Sequence, residues 1–387
     1  MKSIIHFSGD DYWLSNPHSR FHIIKAFNQK NYRVLWINPL GIRFPSLKKK
    51  NFFNRVVRKI SSLIKLLRKV NNNFFVCTPL SIPIFHDNNL QNINLFFWKI
   101  QIAVIMFFLR VRKPLLFFSS PIYGNLLEEI NYDKSIYYYS DMYTTYRELK
   151  GKNKEYVEKL DETLFINSDI ILCASKMIYE TLKSKSTKEL FYLPHQVSFQ
   201  LFQKAGKESS IPFDLQQIKK PVIGYYGTLT DSNDWDIIEY CAKLRPQYNF
   251  VFVGRKEIKL DKLEAFNNVF FLGKKDYNEI PLYAACFDVC IMFWIRREWI
   301  KNSSPLKLKE YLSAGKPVVS TYIEELDTHY KDVVYISETK EDFLKNIDLS
   351  LKSDNSLRIA KGIDMVKNDS WQNAVKKIED LLSKESQ

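Results

Sequence analysis

Glycine is scarce in this sequence, and the common glycine-rich phosphate loops are missing. Only 11 of the 387 residues are glycine. Neither a GxGxxG fingerprint nor a P-loop occurs, so the sequence predicts neither the usual dinucleotide site nor a Walker-type nucleotide site. The five cysteines are scattered and include no CxxC pair. A disulfide framework and a cysteine zinc site are therefore not expected, whereas a reducing, cytoplasmic setting is.

Acidic residues are missing from one long stretch near the N-terminus. Between Tyr12 and His86 there is no Asp or Glu, but there are 14 Lys and Arg, which equals the net charge of +14 for the whole chain. An asymmetry of this kind indicates an anionic surface as partner. No zinc finger, RNP-like aromatic motif or basic-zipper heptad accompanies the charge, so nucleic acid is not the expected partner.

Uninterrupted hydrophobic runs of membrane-spanning length are also absent. The N-terminal sequence MKSIIHFSGDDYW has too short an apolar run for a secretory signal. The longest apolar stretch, residues 93–111, contains Lys99, Gln101 and Arg110. We therefore expect a buried or interfacial helix there rather than a membrane span.

Residues 48–70 predict a basic amphipathic helix. One helical face is apolar and carries Phe53, Val57, Ile60, Ile64 and Leu67. Lys and Arg side chains occupy the other side, a pattern typical of a helix that lies in a membrane interface against anionic lipid. The alternative is an ordinary amphipathic helix that packs on its own domain. The acid-free surroundings favour membrane contact.

Short apolar, β-rich runs alternate with helical stretches through both halves of the chain. Such near-continuous hydrophobic strands predict an α/β architecture with parallel sheets covered by helices on both faces. The polar residues 202–220 contain Gly, Ser and Pro and separate the halves, so we expect domains at 1–205 and 206–387. Two doubly wound domains that face each other place ligands at the carboxyl ends of their strands, in the cleft between them.

Two loops of the second half carry residues suited to a nucleotide. Gly227 and Thr228 follow the apolar run PVIGYY, and glycine there permits close approach of a phosphate to the backbone. The alternative is a plain tight turn before a helix. Lys274, Lys275 and Tyr277 lie on a second loop, which can contact the base of a nucleotide. The alternative is a solvated basic turn.

The stretch NSSPLKLKEYLSAGKPVVST, residues 302–321, predicts a short helix with Ser304 as its N-cap and Pro305 in its first turn. Lys307 then opposes the helix dipole, which favours acids at this end by about 0.3–1 kcal/mol. A diphosphate at the helix end explains the lysine, with Glu310 on a ribose hydroxyl. The alternative is a surface ion pair between Lys307 and Glu310.

Taken together, these stretches resemble the GT-B glycosyltransferases. Those of the second half that match in order and spacing are PVIGYYGTL, NVFFLGKKDYNEIPLYAACFDVCIMFW, PLKLKEYLSAGKPVVST and NDSWQNAVKKIEDLL. Three segments of the first half look like the corresponding segments of these transferases: NPHSRFHIIKAFNQKNYRVLWINP, SDIILCAS and LPHQVSFQLF. The resemblance covers nearly the whole chain and is strongest to bacterial transferases that build envelope polysaccharides, including the kind that uses UDP-glucuronate.

The resemblance implies a GT-B fold of two facing, Rossmann-like, doubly wound domains. The first, residues 1–205, is expected to bind the acceptor. The second, residues 206–387, is expected to bind the nucleotide sugar, with its last helix packing back on the first. In such relatives the residues at this helix start, here Ser304 and Lys307, hold the donor diphosphate. An acid three residues on, here Glu310, holds the ribose or uracil end.

Three departures from the retaining relatives speak against a retaining mechanism. Those relatives carry two glutamates separated by seven residues, whereas here the first position is Asn302, a candidate substrate contact, and the second is Glu310. The loop after Gly227 is acidic where such relatives have a basic residue. Their His-Gly-Val-Asp appears here as His195 followed by Gln-Val-Ser, and His195 is a candidate contact to donor phosphate.

An inverting transferase needs a general base in the first domain. Asp141 ends the apolar run SIYYYSD, and related transferases have an acid in a similar segment. Helix capping is the alternative role for this residue. Asp10 and Asp11, which follow the first predicted strand, are the second choice for the base.

Further candidate substrate contacts lie at the start of the first long helix. Arg20 and His22 can touch substrate anions there, although His22 can equally pack inside the domain. The sequence DWD, residues 234–236, formally resembles the DxD metal motif, but its position at a helix start indicates capping. We expect neither a metal nor a cofactor, because Lys307 and helix amides can stabilise the leaving diphosphate.

The resulting hypothesis is a metal-independent glycosyltransferase of bacterial envelope, capsule or exopolysaccharide synthesis. It transfers a sugar from a nucleotide sugar, with UDP the expected nucleotide, to a lipid-linked saccharide acceptor. Its expected location is the inner face of the cell membrane, to which residues 48–70 attach it peripherally. The alternatives are a sugar-nucleotide epimerase of the same fold and a non-catalytic GT-B scaffold or binding protein.

Overall fold

The computed structural model describes residues 1–15, 17–39, 66–82, 88–141, 151–186, 188–207, 210–297, 300 and 303–384. The chain divides into two compact units. The first contains Met1–Pro194 and Ala374–Gln387, and the second contains His195–Asn373. Each unit is built on its own sheet, and most residues of the central strands are buried, as the continuous hydrophobic runs predict. The edge strands are more exposed, and the edge strand Leu67–Asn71 has no buried residue.

The first unit has an eight-stranded sheet in the order β3-β4-β2-β1-β5-β6-β7-β8, parallel except for the β3–β4 pair. Its strands are β1 (Ser3–Phe7), β2 (Arg33–Ile37), β3 (Leu67–Asn71), β4 (Phe74–Cys77), β5 (Leu115–Phe118), β6 (Ser135–Tyr139), β7 (Ile170–Cys173) and β8 (Leu190–Tyr192). Its helices are α1 (Ser19–Gln29), α2 (Asn88–Phe108), α3 (Lys152–Asn167) and α4 (Lys176–Lys183), with a 3-10 helix at Pro121–Leu126.

The second unit has a six-stranded parallel sheet in the order β11-β10-β9-β12-β13-β14. Its strands are β9 (Val222–Tyr226), β10 (Asn249–Val253), β11 (Val269–Gly273), β12 (Val289–Met292), β13 (Val318–Thr321) and β14 (Val334–Ser337). Its helices are α5 (Phe199–Lys207), α6 (Trp235–Leu244), α7 (Asp261–Glu264), α8 (Ile280–Cys286), α9 (Leu306–Ser313), α10 (Glu324–His329), α11 (Lys340–Lys352) and α12 (Ser356–Val366). The final helix, α13 (Trp371–Lys384), begins in this unit and continues into the first.

Both sheets reverse their strand order once, and this reversal predicts where ligands bind. The order changes direction between β1 and β5 in the first unit and between β9 and β12 in the second. In doubly wound sheets, ligands bind outside the carboxyl ends of the strands at such a switch point. The predicted α/β class with two doubly wound, largely parallel sheets is confirmed.

The boundary between the units lies before His195, rather than at the expected position between residues 205 and 206. Phe202 of α5 is fully buried in a core cluster of the second unit, and the N–H of Val197 donates to the carbonyl of Asp369 at 2.8 Å. These contacts tie α5 to the second unit, although its sequence is polar. At the other end of the chain, Glu379 of α13 accepts hydrogen bonds from Lys30 and Tyr32 of the first unit.

The predicted helix at 48–70 is wrong over its last residues. Residues 67–71 form strand β3, which pairs antiparallel with β4 through a hairpin at Asn71–Phe74. The side chain of Asn71 accepts from the N–H of Asn73 at 2.9 Å and stabilises the turn. Pairing with β4 satisfies the backbone groups that a helix would otherwise satisfy, so sheet contacts override the helical pattern. Residues 48–65 lie outside the described residues.

The apolar stretch at 93–111 forms most of α2, a helix with one buried side and one exposed side. Trp98, Ile102 and Ile105 are buried in the core of the first unit. Among the described residues, one helix is long and apolar enough to cross a membrane, at Leu90–Phe108 within α2, and 22% of this stretch is buried.

Candidate functional site

Two glycines shape the carboxyl ends of β9 and β10. Gly227 has a φ angle of +141° and Gly254 has one of +154°, a region that side chains disfavour. A Cβ on Gly254 would lie 1.8 Å from the carbonyl oxygen of Gly227, and a Cβ on Gly227 would lie 2.6 Å from Cε of Lys307. The missing side chains therefore let the two strand ends touch and let Lys307 reach across the end of β9.

Lys307 lies in the first turn of α9, half-buried at the switch point of the second sheet. Its Nζ is 5.6 Å from the ring centre of Tyr225 and 5.7 Å from that of Trp294, so two aromatic faces hold the ammonium in place. Among the residues that the structure describes, no carboxylate lies within ion-pair distance of this Nζ. The alternative of a surface pair with Glu310 is not found, although the Lys307 charge does act on Glu310.

The start of α9 differs in detail from the prediction. Pro305 occupies the N-cap position with an extended backbone, and no side chain among the described residues caps the helix. Ser304, predicted to cap, is buried and lies one residue earlier. Because proline has no capping side chain, the helix start offers its backbone N–H groups to a ligand. The other predicted contact nearby, Asn302, lies outside the described residues.

Glu310 is buried and held by two phenols. The Tyr226 hydroxyl donates to its Oε2 at 2.6 Å, and the Tyr277 hydroxyl donates to its Oε1 at 3.0 Å. Burial raises the pKa of the Glu310 carboxyl, while the phenols and the Lys307 charge hold part of that rise back. Tyr277, predicted from its loop to contact a base, thus belongs to the same cluster as Glu310. The role of Tyr226 was not visible in the sequence, since it reads as an ordinary strand residue.

The loop after Gly227 is fastened to the segment after β12. Arg297 donates to the carbonyl of Asp231 at 2.7 Å and to the hydroxyl of Ser232 at 3.1 Å. Asp234 caps α6 through the N–H of Ile237 at 3.3 Å, as the capping interpretation of DWD predicted. Arg297, which was not predicted, gives this acidic loop a cationic partner. It belongs to the basic pair that follows the strand DVCIMFW, and this pair is its signal in the sequence.

The remaining predicted residues of the second unit are spread around its surface. Thr228 is half-buried directly after Gly227, and Lys274 is exposed directly after β11. The neighbouring Lys275 pairs with Asp214 at 2.6 Å, so it fastens its loop to the 3-10 helix Phe213–Leu215. His195, a candidate contact to donor phosphate, is half-buried and lies three residues beyond the end of β8.

In the first unit, a cluster around Arg20 gathers the carboxyl ends of β1, β5 and β6. The guanidinium of Arg20 donates to the Asp10 carboxylate and, at 2.7 Å, to the hydroxyl of Ser140. The carbonyl of Ser119 lies 3.5 Å and Oδ2 of Asp141 lies 3.8 Å from the same guanidinium. Three predicted site residues therefore meet at the switch point of the first sheet, because the ends of adjacent parallel strands lie together.

Asp141 is the more accessible of the two carboxylates in this cluster. Its side chain is 34% exposed, compared with 19% for Asp10, and Asp10 is the one that Arg20 contacts most closely. The Asp141 carboxylate also accepts from the Ser140 hydroxyl at 3.4 Å. This arrangement fixes the strand end that carries Asp141, and the side chain of Asp141 is partly exposed there. Helix capping, the alternative role for Asp141, would involve the residues that follow it, and residues 142–150 lie outside the described part of the chain.

Two other predicted residues of the first unit have structural partners. The carboxylate of Asp11 accepts from the N–H groups of Trp13 and Leu14, at 2.9 and 3.1 Å, and caps its own turn. Burial, with the charges of Lys25 and His18, lowers the pKa of His22 to about 4, so this imidazole is neutral near pH 7. These contacts favour the packing interpretation of His22 over an electrostatic contact to an anion.

His6 lies beneath Arg20 and was not predicted. Its Nε2 is 2.7 Å from the hydroxyl of Ser119, and burial and the Arg20 charge hold the pKa of this histidine well below its ordinary value. The ring of Trp36 packs edge-on against the imidazole at 4.3 Å. His6 is therefore a neutral, buried residue that contacts the Arg20 cluster through Ser119. In the sequence it looked like any histidine within an apolar strand.

Comparison with known proteins places the chain among glycosyltransferase sequences and folds. Residues 220–352 match the family described as "Glycosyl transferases group 1". A putative teichuronic acid biosynthesis glycosyltransferase, TuaH of Bacillus subtilis (strain 168), is 25% identical over 234 residues, which are 57% of this chain and 58% of that protein. The match thus spans little more than half the length of this relative.

Solved structures show the fold over the whole chain. A sucrose-phosphate synthase from Thermosynechococcus elongatus superimposes with a TM-score of 0.69 at 12% identity, and 99% of each chain is covered. HepE of Anabaena, in complex with UDP and glucose, gives a TM-score of 0.65 at 13% identity, again over 99% of each chain. The chain therefore has the GT-B fold, and its residues 220–352 match the glycosyl transferases group 1 family.

Proposed function

We propose that this protein is a glycosyltransferase that uses a nucleoside diphosphate sugar, with UDP as the nucleotide. The observation that carries the proposal is the position of Lys307. A half-buried ammonium stands at the N-terminal end of α9, next to Gly227, without an ion-pair partner among the described residues. A diphosphate at this point supplies the missing negative charge and accepts hydrogen bonds from the backbone N–H groups.

The choice of UDP is supported by two relatives in fold. HepE was solved with UDP and glucose, and an E. coli trehalose-6-phosphate protein was solved with UDP-2-fluoro glucose. In the present chain, Glu310 has both carboxylate oxygens directed by phenols and lies one turn beyond Lys307. We propose that Glu310 accepts a hydrogen bond from a ribose hydroxyl, with Thr228 and Lys274 at the edges of the donor site.

The proposed reaction is an inverting transfer with Asp141 as the general base. The carboxylate removes the proton from an acceptor hydroxyl, the freed oxygen forms a bond to the anomeric carbon of the sugar, and the bond from that carbon to the diphosphate breaks. Lys307 and the N–H groups of α9 stabilise the negative charge that develops on the leaving diphosphate. In this scheme the reaction requires neither a metal ion nor a cofactor.

The acceptor proposed here is a lipid-linked saccharide of the bacterial cell envelope. Support comes from the similarity to a putative teichuronic acid biosynthesis glycosyltransferase and from the acid-free, basic stretch of the first unit. Such an acceptor is made at a membrane, so we place the protein peripherally at the inner face of the cell membrane. Arg20 and Asp141, at the end of the first sheet, are the proposed acceptor-side residues.

Thermal unfolding with a panel of nucleotides tests the donor site. A ligand at 100 times its Kd stabilises the folded state by about 2.7 kcal/mol, so UDP should raise Tm while GDP, ADP and CMP should not. The rise should disappear in Lys307→Ala and persist in Lys316→Ala, a matched lysine at the other end of α9. No rise with any nucleotide would contradict the proposal and favour a scaffold protein.

Analysis of the reaction products distinguishes the proposed transferase from the epimerase alternative. If the protein converts a UDP-sugar into its epimer when no acceptor is present, the sugar nucleotide survives and no UDP is released. The proposed transferase instead releases UDP only when a lipid-linked saccharide is added. Release of UDP that depends on the acceptor would therefore rule out the epimerase interpretation.

A further inference from the structure

Helix α2 of the first unit presents two unlike faces. On one face, Trp98, Ile102 and Ile105 are buried in the core, and the Trp98 ring packs against Tyr123 with a centroid distance of 5.5 Å. On the same side the Asn94 amide bonds both the N–H and the carbonyl of Ile82, at 2.7 and 2.9 Å. The helix is thus fixed in the unit along much of its length.

The opposite face of α2 is apolar but exposed. Its exposed side chains, which we call the α2 strip, are Ile93, Phe96, Phe97, Ile100, Val104, Phe107 and Phe108. Phe107 and Phe108 are 80% and 75% exposed. From Phe96 to Phe108 the strip extends about 18 Å at the helical rise of about 1.5 Å per residue. Contiguous apolar surfaces of this kind are uncommon on monomers and mark sites of interaction.

Positive charge lies at the C-terminal end of the strip. Arg110, Arg112 and Lys113 are exposed directly after Phe108. Between Asn88 and Leu127 the sequence contains no Asp or Glu. Glu129, which follows this acid-free stretch, is paired with Lys99 of α2. An aromatic strip followed by basic side chains matches an anionic lipid surface, in which apolar groups enter the acyl boundary and basic groups meet the headgroups.

Two other occupants fit the strip less well. A helix that crossed the bilayer would have to remove Trp98, Ile102 and the Asn94 amide from the partners that hold them, and only one face of α2 is suited to lipid. A second copy of the chain would bring the exposed Arg110, Arg112 and Lys113 against the same residues of its partner, because a two-fold interface uses the same patch on both partners. No carboxylate of α2 is present to neutralise that charge.

We propose that the α2 strip is a membrane-docking surface that inserts shallowly into an anionic phospholipid bilayer. The helix lies along the bilayer plane, with its phenylalanines at the acyl boundary and Arg112 and Lys113 at the headgroups. This inference deepens the proposed peripheral location by naming the surface that contacts lipid. The α2 strip consists of residues that the structure describes, and membrane docking through it does not depend on the donor nucleotide.

Co-sedimentation with vesicles tests the proposal. The full-length protein is mixed with vesicles of phosphatidylcholine alone or with about one-third phosphatidylglycerol, a fraction chosen so that the headgroup charge term is large. We expect binding to the anionic vesicles, at least tenfold weaker binding for Phe96→Ser/Phe107→Ser/Phe108→Ser, and a smaller loss for Arg112→Gln/Lys113→Gln. The matched control is Phe213→Ser/Leu357→Ser, which removes two side chains that are 83% and 87% exposed in the second unit, and it should bind like the wild type.

Three outcomes would overturn the proposal. The first is the absence of vesicle binding by the wild type, and the second is equal binding by the triple phenylalanine variant. The third is a dimer in sedimentation equilibrium that the triple variant converts to a monomer, which would assign the strip to a second copy. Because the replaced side chains are exposed, unchanged Tm of each variant shows that the fold is intact. A UDP-induced rise in Tm, measured on the same samples, separates failure of this inference from failure of the donor site.

Discussion

The two units treat the cation at the end of their sheets in different ways. Arg20 of the first unit is enclosed by oxygen atoms from Asp10, Ser140, Ser119 and Asp141. Lys307 of the second unit rests against the rings of Tyr225 and Trp294, and among the described residues it forms no ion pair. A cation with its charge already satisfied positions its neighbours, whereas a half-buried cation without an ion pair in the described part of the chain is poised for an anionic ligand.

The largest effect is expected at Asp141, the more exposed of the two carboxylates beside Arg20. Asp141→Asn should lower kcat by about 10²–10⁴-fold, the usual contribution of a general base, while UDP binding stays the same. The rate of UDP release with membrane-extracted lipid-linked saccharides measures kcat. Asp133→Asn, an exposed acid elsewhere in the unit, is the control. Normal turnover in the Asp141→Asn protein would remove this residue from the role of base.

Arg20 itself should matter first for stability. Arg20→Met leaves Asp10 and Ser140 without their main partner in a largely buried place, which should cost roughly 2–3 kcal/mol in the free energy of unfolding. Denaturant unfolding with a two-unit fit measures the change. Lys361→Met, which breaks the exposed pair with Asp332, should leave the unfolding midpoint unchanged. Equal effects of the two substitutions would contradict the assigned role of Arg20.

A substitution at Gly227 tests whether Lys307 of the second unit must reach across the end of β9 to bind UDP. Gly227→Ala adds backbone strain of about 1–3 kcal/mol and also pushes against Lys307, so both stability and UDP affinity should fall. Gly273→Ala is a matched control, because Gly273 also has a positive φ, of +72°, but a Cβ there meets nothing within 4 Å. It should lose stability alone. Loss of UDP affinity in both variants would point to strain rather than to contact with Lys307.

The Glu310 carboxyl should make a small, pH-dependent contribution to the free energy of unfolding. Burial raises the pKa of its carboxyl in the folded state, so the folded protein holds this proton up to a higher pH than the unfolded chain does. Stability from this group should therefore fall as pH rises from the ordinary glutamate pKa to the raised one. Unfolding of wild type and Glu310→Gln across this range measures the difference. An identical pH slope would show that Glu310 does not titrate in this window.

Much of this arrangement could be predicted because apolar runs fix where parallel strands end. Asp10 and Asp141 follow such runs, and their meeting with Arg20 follows once adjacent strand ends share an edge. The placement of Lys307 at a helix start beside a glycine loop was visible for the same reason. The fold class follows from the same pattern of alternating strands and helices.

What the sequence did not show depends on contacts between distant segments. Strand β3 exists because a hairpin pairs residues 67–71 with β4, although their pattern continues that of a helix. The phenol of Tyr226 reaches Glu310, 84 positions away, and Arg297 reaches the loop at 231–232. His6 lies below Arg20 only after β1 and β5 have paired. Local patterns contain no information about such partners.

The most direct test of the central claim compares uridine with UDP. Isothermal titration of the wild type should give UDP an affinity at least tenfold above that of uridine, because charge-assisted contacts contribute about 1.5–3 kcal/mol each. In Lys307→Ala this preference should largely vanish, while uridine binds as before. If the preference for UDP were the same in both proteins, Lys307 would not hold the diphosphate, and the account of the second unit would be wrong.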